Sequence, residues 1–127
     1  MPSNNKEYVD FVLEWLAPLG EIMARSMMGG HVLYCGGTVF ALMDNNTLYL
    51  KVDDATRPRF EALGLKPFQP FPDKPETMQY YPPPAEFFED ADMRREWGTA
   101  AVEVGRRAQA KRKSKKKPAA RTKAKRR

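Results

Sequence analysis

Two side chains in this sequence could do covalent chemistry, and they lie four residues apart. They are His31 and Cys35, the only histidine and the only cysteine. A thiol becomes a working nucleophile when a base takes its proton, which requires the imidazole within about 2.6–3.2 Å of the sulfur. Their setting is Ser26 to Gly37, "SMMGGHVLYCGG", in which glycine pairs bracket a Val-Leu-Tyr interior. That pattern predicts a strand between two turns. Residues four apart on a strand share a face, but at about 3.3 Å per residue their Cα atoms are about 13 Å apart. A dyad and a shared metal ion are both out of reach along such a strand. No second histidine or cysteine exists to complete a transition-metal site. His31 is therefore read as a turn-edge residue and Cys35 as a small buried hydrophobe.

Other chemistries fail on spacing. Gly29-Gly30 and Gly36-Gly37 are not followed by the Lys-Ser/Thr and helix start of a P-loop, nor do they form a dinucleotide fingerprint. They run from strand to strand and serve as turns. Asp53 and Asp54, followed by Arg57 and Arg59, could suggest acid–base work, but adjacent carboxylates do not easily face one site. Capping of a helix start accounts for at least one of them. Pro67–Pro70 and Pro72–Pro75 imitate a Pro-x-x-Pro ligand, yet the phenylalanines embedded there favour anchoring in a core. The reading is of a non-enzymatic protein with no cofactor, no metal and no identified small-molecule substrate.

The charges do point to a partner. The chain of 127 residues carries 22 basic and 16 acidic side chains, for a net +6. All 16 acidic groups fall within residues 1–105, against 9 basic ones, so this segment stands at −7. Residues 106–127 hold the other 13 cations: Arg106, Arg107, Lys111, Arg112, Lys113, Lys115, Lys116, Lys117, Arg121, Lys123, Lys125, Arg126 and Arg127. An acidic body thus precedes a basic arm. The arm has no aromatic or acidic residue and is too charged to pack a core, so a disordered polycation is expected. Such a segment binds nucleic acid through phosphates, with little sequence information and a steep salt dependence. Those 13 residues are the expected nucleic-acid-binding set, with DNA the favoured partner. The alternative is an interaction module whose arm meets an acidic protein or aids solubility.

The elements that position these groups follow from periodicity. Tyr8, Phe11, Val12, Trp15, Leu16 and Leu19 recur at helical spacing, with Asn4 or Asn5 as N-cap and Pro18 distorting the last turn. "ARSMM", "HVLYC", "TVFALMD" and "TLYLKV" read as strands joined at Gly29-Gly30, Gly36-Gly37 and Asp44-Asn45-Asn46. "DDATRPRFEALG" reads as a short helix, residues 65–76 as an extended edge segment, and "TMQYY" as a further strand. A last helix starts near Asp92, with Met93, Trp97, Ala100, Ala101, Val104 and Ala108 as its buried stripe, and extends to about residue 110. The expected fold class is α+β: an antiparallel β-meander packed with an N-terminal, a short middle and a C-terminal helix. The expected division is a domain at 1–105 and the basic arm at 106–127. "MPSNNKEYVDF" lacks the features of a signal peptide, and no apolar run is long enough to span a bilayer. The expectation is a cytoplasmic protein without membrane insertion.

Taken as a set, several stretches resemble the TfoX N-terminal domain family. They are "RSMMGG" (25–30), the Tyr34 strand, "VFALMDNNTLYLKVDD" (39–54), "RPRFEALGLKPF" (57–68) and "MQYYPPP" (78–84). The likeness covers roughly residues 8–106, with "LYLKVDD" and "RPRFEALGLKPF" its most specific stretches. Met28 stands where the family commonly has Phe, a volume-tolerant exchange. The resemblance implies a bacterial regulator of the kind that governs natural competence and acts with the cyclic-AMP receptor protein at promoters. Those regulators carry a second, C-terminal domain, in whose place this sequence is expected to have only its polycationic arm. No catalytic residue is implied. A transcription or nucleoid-associated factor, with a protein partner in the transcription machinery, is the resulting expectation.

Overall fold

The computed structural model describes residues 4–27, 29–71 and 73–124, with side chains described through Arg112. Helix α1 spans Lys6–Leu16, and the Asn5 carboxamide oxygen caps it by accepting from the Tyr8 N–H at 2.7 Å. At Pro18 the helix tightens into a single 3-10 turn, Ala17–Leu19, because proline has no N–H for the ladder. Four strands follow: β1 Ile22–Met27, β2 Gly30–Cys35, β3 Thr38–Asp44 and β4 Thr47–Lys51. After the short helix α2, Arg57–Glu61, come β5, Tyr80–Tyr81, and helix α3, Ala91–Ala124. The sheet order is β1-β2-β3-β4-β5, every neighbour antiparallel. This is the α+β meander expected.

The turns have the local chemistry that tight hairpins need. Gly36 and Gly37 (φ +57° and +85°) join β2 to β3, and Asn45 and Asn46 (φ +53° and +56°) join β3 to β4. Both central residues are left-handed in each case, which matches the twist of the flanking strands. Gly30 differs from expectation. It belongs to β2 rather than to a turn, and a Cβ there would lie 2.6 Å from the Met43 carbonyl oxygen on the neighbouring strand. The fifth strand is also shorter than "TMQYY". Only Tyr80 and Tyr81 join the ladder, while Met78 makes an isolated bridge to Phe68.

Strand alternation divides the core in two. Leu33, Ala41, Met43, Leu48, Leu50 and Tyr81 face α1 and α3 in the main cluster, with Val12, Leu16, Phe60, Phe87, Ala101 and Val102. On the other face Leu42, Tyr80 and Phe68 form a smaller cluster against Tyr49. Phe40 breaks the alternation. Leu33 pairs with Ala41 and Tyr34 with Val39, which leaves Phe40 as the extra residue of a bulge. Phe40 and Ala41 are consequently both fully buried in the main cluster. The β1 side of the second face stays open, with Met23 58% and Met27 50% exposed.

Helix α3 packs closely on the body at two glycines, Gly98 against the turn after α1 and Gly105 against β3. A Cβ at Gly98 would lie 2.6 Å from Leu19 Cδ1, and one at Gly105 would fall on the Val39 carbonyl oxygen and 2.7 Å from Thr38 Cγ2. Gly105→Ala separates two effects of opposite sign. Helix propensity alone favours alanine by roughly 0.5–1 kcal/mol. The clash is with backbone, which cannot swing aside, and overpacking costs about 1–3 kcal/mol. The clash wins: the variant is expected to unfold at lower urea concentration than the unaltered protein.

Candidate nucleic-acid interface

The cations enter where α3 leaves the sheet. Beyond Val104 and Gly105, both buried, the helix keeps contact with the body through two polar side chains. Arg107 donates from Nε to Asp53 Oδ2 at 2.9 Å, and its terminal nitrogen lies 2.9 Å from the same oxygen. Gln109 meets the β2–β3 turn, its Oε1 accepting from Thr38 Oγ1 at 3.1 Å and its Nε2 donating to the Gly37 carbonyl at 3.4 Å.

Asp53 is held from both sides. Its Oδ1 accepts from the N–H groups of Ala55 and Thr56, which close the turn into α2. The Arg107 hydrogen bond, partly opposed by burial, holds the Asp53 carboxyl below its ordinary value of 3.8. Asp54 and Arg57 pair at 2.6 Å, and Arg57 also donates to Gln79 Oε1 at 2.9 Å. These groups, with Val52, Ala55 and Lys111, line an open cleft of about 460 Å³. Every carboxylate in it is engaged by arginine, which leaves no free acid–base pair.

Of the expected binding residues, Arg106, Lys111 and Arg112 are exposed, whereas Arg107 is spent on Asp53. Helix α3 does not stop near residue 110 but runs on to Ala124. The side chains of Lys113, Lys115, Lys116, Lys117, Arg121 and Lys123, and the whole of Lys125, Arg126 and Arg127, lie outside the described residues, as do Met28 and Pro72.

His31 and Cys35 are not brought together. The Asn4 side chain amide donates to His31 Nδ1 at 2.9 Å and to the Met43 carbonyl at 3.1 Å, while its oxygen accepts from the Asn46 N–H at 2.8 Å. That last bond fixes the amide orientation, so Nδ1 is the acceptor and the imidazole proton sits on Nε2. Cys35 is buried, and its thiol points at the Leu19 carbonyl, 3.8 Å away. His31 faces Met43 beside the β3–β4 turn, whereas Asp53 follows the far end of β4, so those two do not converge either. Among the described residues no group of three or more His, Cys, Asp or Glu could hold a metal ion. No helix is long and apolar enough to cross a membrane in the same set.

A five-stranded antiparallel meander, backed on one face by helices and running out into a basic helix, defines a small α+β domain with a cationic extension. The chain belongs to the TfoX N-terminal domain family, whose profile matches residues 14–105. The match ends on Gly105, where α3 lies against the Val39 carbonyl of β3, and so leaves the basic segment outside it. No curated protein matches the chain.

The Arg107–Asp53 contact joins residues 54 apart and could not be read from spacing. Spacing shows only the capping role of Asp53. Asp53→Ala removes the half-exposed ion pair, worth about 0–1 kcal/mol, and the bonds to Ala55 and Thr56, worth about 0.5–2 kcal/mol. A total loss of about 0.5–3 kcal/mol near neutral pH is expected in urea unfolding. Since the folded carboxyl titrates below 3.8, its stabilisation is complete above that value and is lost as pH falls through the folded one. The gap between variant and unaltered protein should accordingly shrink in acid.

Proposed function

We propose that this protein is a non-enzymatic regulator that holds nucleic acid, preferentially DNA, through residues 106–127 while its folded body contacts a protein of the transcription machinery. It acts in the bacterial cytoplasm, at the nucleoid. The observation that carries this reading is the continuity of α3, which passes without interruption from the packed core into a segment bearing 13 of the chain's 22 cations. Cations of this density displace counterions from phosphates, and if about eight of them do so, log K falls against log salt with a slope near −7 on duplex DNA. Binding of this kind distinguishes sequences poorly.

A second reading rests on the open sheet face around Met23 and Met27, which supports a protein-binding role in which the basic segment meets an acidic partner. The two readings separate by nuclease: partners recovered through nucleic acid disappear after digestion, and direct protein partners remain.

Truncation after Ala110 is the appropriate test, because it keeps the Arg107–Asp53 and Gln109–Thr38 contacts while removing 11 of the 13 cations. Mobility-shift titrations over several salt concentrations should show binding weakened by at least about two orders of magnitude at about 50 mM salt and a slope reduced to about −2 or less. Thermal stability should be nearly unchanged. Retained affinity with the full slope would refute the role given to the basic segment.

A further inference from the structure

The two edges of the sheet are finished differently. At β5 the chain covers its own ladder: the Phe68 N–H donates to the Tyr80 carbonyl at 2.7 Å, and the Phe68 carbonyl accepts from Met78 at 2.8 Å. At β1 no such cover exists among the described residues. The Gly36 N–H donates to the Glu21 carbonyl at 2.9 Å, so position 21 turns its backbone groups toward β2. Alternation along an antiparallel ladder gives Met23, Arg25 and Met27 the same direction. Ile22, Ala24 and Ser26 therefore turn their N–H and C=O groups outward, and among the described residues none of these groups is hydrogen-bonded. The side chains of Ile22 and Ala24 pack into the main cluster and leave the edge bare. Met23, Arg25, Ser26 and Met27 are exposed, and Arg25 has no carboxylate partner among the described residues.

We propose that β1 is the docking site for an extended segment of a partner protein, which adds antiparallel and sets a carboxylate against Arg25 between two apolar side chains. The outward groups of β1 repeat every two residues, about 6.8 Å apart along the strand. A second polypeptide strand presents donors and acceptors at that same repeat, whereas a DNA backbone has no donor for the outward carbonyls. Main-chain bonds then supply affinity, and alternate side chains supply specificity. The specificity follows from the register. Because Arg25 bonds inward to β2, its partner across a new ladder forms a non-hydrogen-bonded pair. In such pairs the Cα atoms come to about 4.5 Å and the side chains are closest. An acidic residue there makes the ion pair that Arg25 lacks, and its neighbours two positions away fall opposite Met23 and Met27. Their flexible thioether side chains adapt to apolar partners of several shapes. The inference rests on the reading that the folded body contacts a protein, and names the surface that does so.

Capped peptides added in millimolar excess to the full chain test the site by amide NMR. The first is Lys-Thr-Val-Thr-Glu-Thr-Val-Thr-Lys, which presents its valines and glutamate on one face. The second has lysine in place of the glutamate. The third is the first with N-methyl groups on the threonines beside the glutamate, which removes the donors for the Ala24 and Ser26 carbonyls. The glutamate peptide is expected to shift the amides of Ile22, Ala24 and Ser26 and protect them from exchange. It should bind about threefold to tenfold more tightly than the lysine peptide, and Arg25→Glu should invert that order. The N-methylated peptide should leave the three amides unmoved. Amides that the glutamate peptide leaves unmoved, or that the N-methylated peptide moves equally, overturn the site, as does a preference that Arg25→Glu leaves unchanged. If the amides are protected without peptide and the chain sediments as a dimer, a second copy holds the edge and the partner assigned to it is overturned. Nuclease-treated recovery from a lysate separates the site from the reading beneath it. If the peptide engages β1 and no protein survives digestion, the edge site stands and the protein-contact reading falls. If proteins survive digestion while the peptide fails to engage β1, that reading stands and the edge site falls.

Discussion

The structure depends on how closely one helix can approach one strand. Where α3 crosses β3 at Gly105, the absence of a side chain lets the helix backbone rest on the Val39 carbonyl. That approach sets the depth at which Ala101, Val102 and Val104 are buried. It also sets the position from which Arg107 and Gln109 reach Asp53 and Thr38. A larger residue would lift the helix, and the packing and the polar contacts downstream would be lost together. Gly98 does the same against Leu19, about two turns earlier, so the helix is seated at two points along its axis.

The seating gives the charges their arrangement. Acidic residues gather around the start of α3, with Asp90 accepting from the N–H groups of Asp92 and Met93, and basic residues dominate beyond Arg106. Both placements suit the helix dipole, which favours anions at the amino end and cations at the carboxyl end. The body's surplus of acidic groups repels a polyanion generally, and the cations at the exit of α3 are where that repulsion is locally reversed.

Much of this was legible in the residues. Hydrophobic periodicity and the Gly36-Gly37 and Asn45-Asn46 turns contain enough local information to specify the meander and its helices, because left-handed turn positions and strand alternation are short-range properties. The separation of His31 from Cys35 followed from strand rise alone. What stayed hidden was nonlocal. Nothing in the spacing marks Gly30 as a strand residue, since its constraint comes from Met43 across the ladder. The bulge at Phe40 likewise reads as ordinary alternation until the partner strand is in place. The same holds for the candidate interface. Its cations were plain from composition, but the withdrawal of Arg107 by Asp53 arises only when distant segments meet.

The edge strand β1 carries a further consequence. Met23, Arg25 and Met27 alternate along its open face, and among the described residues its outer backbone groups have no neighbouring strand in the sheet. A second copy adding its own β1 antiparallel, in the register that stacks Met23 on Met27, would set each Arg25 directly against the other. Like charges opposed across a ladder are destabilising, and a charged residue in mid-strand is a recognised guard of exposed edges. In that register the single arginine therefore opposes the addition of a second β1, a deterrent to sheet growth built into the edge itself.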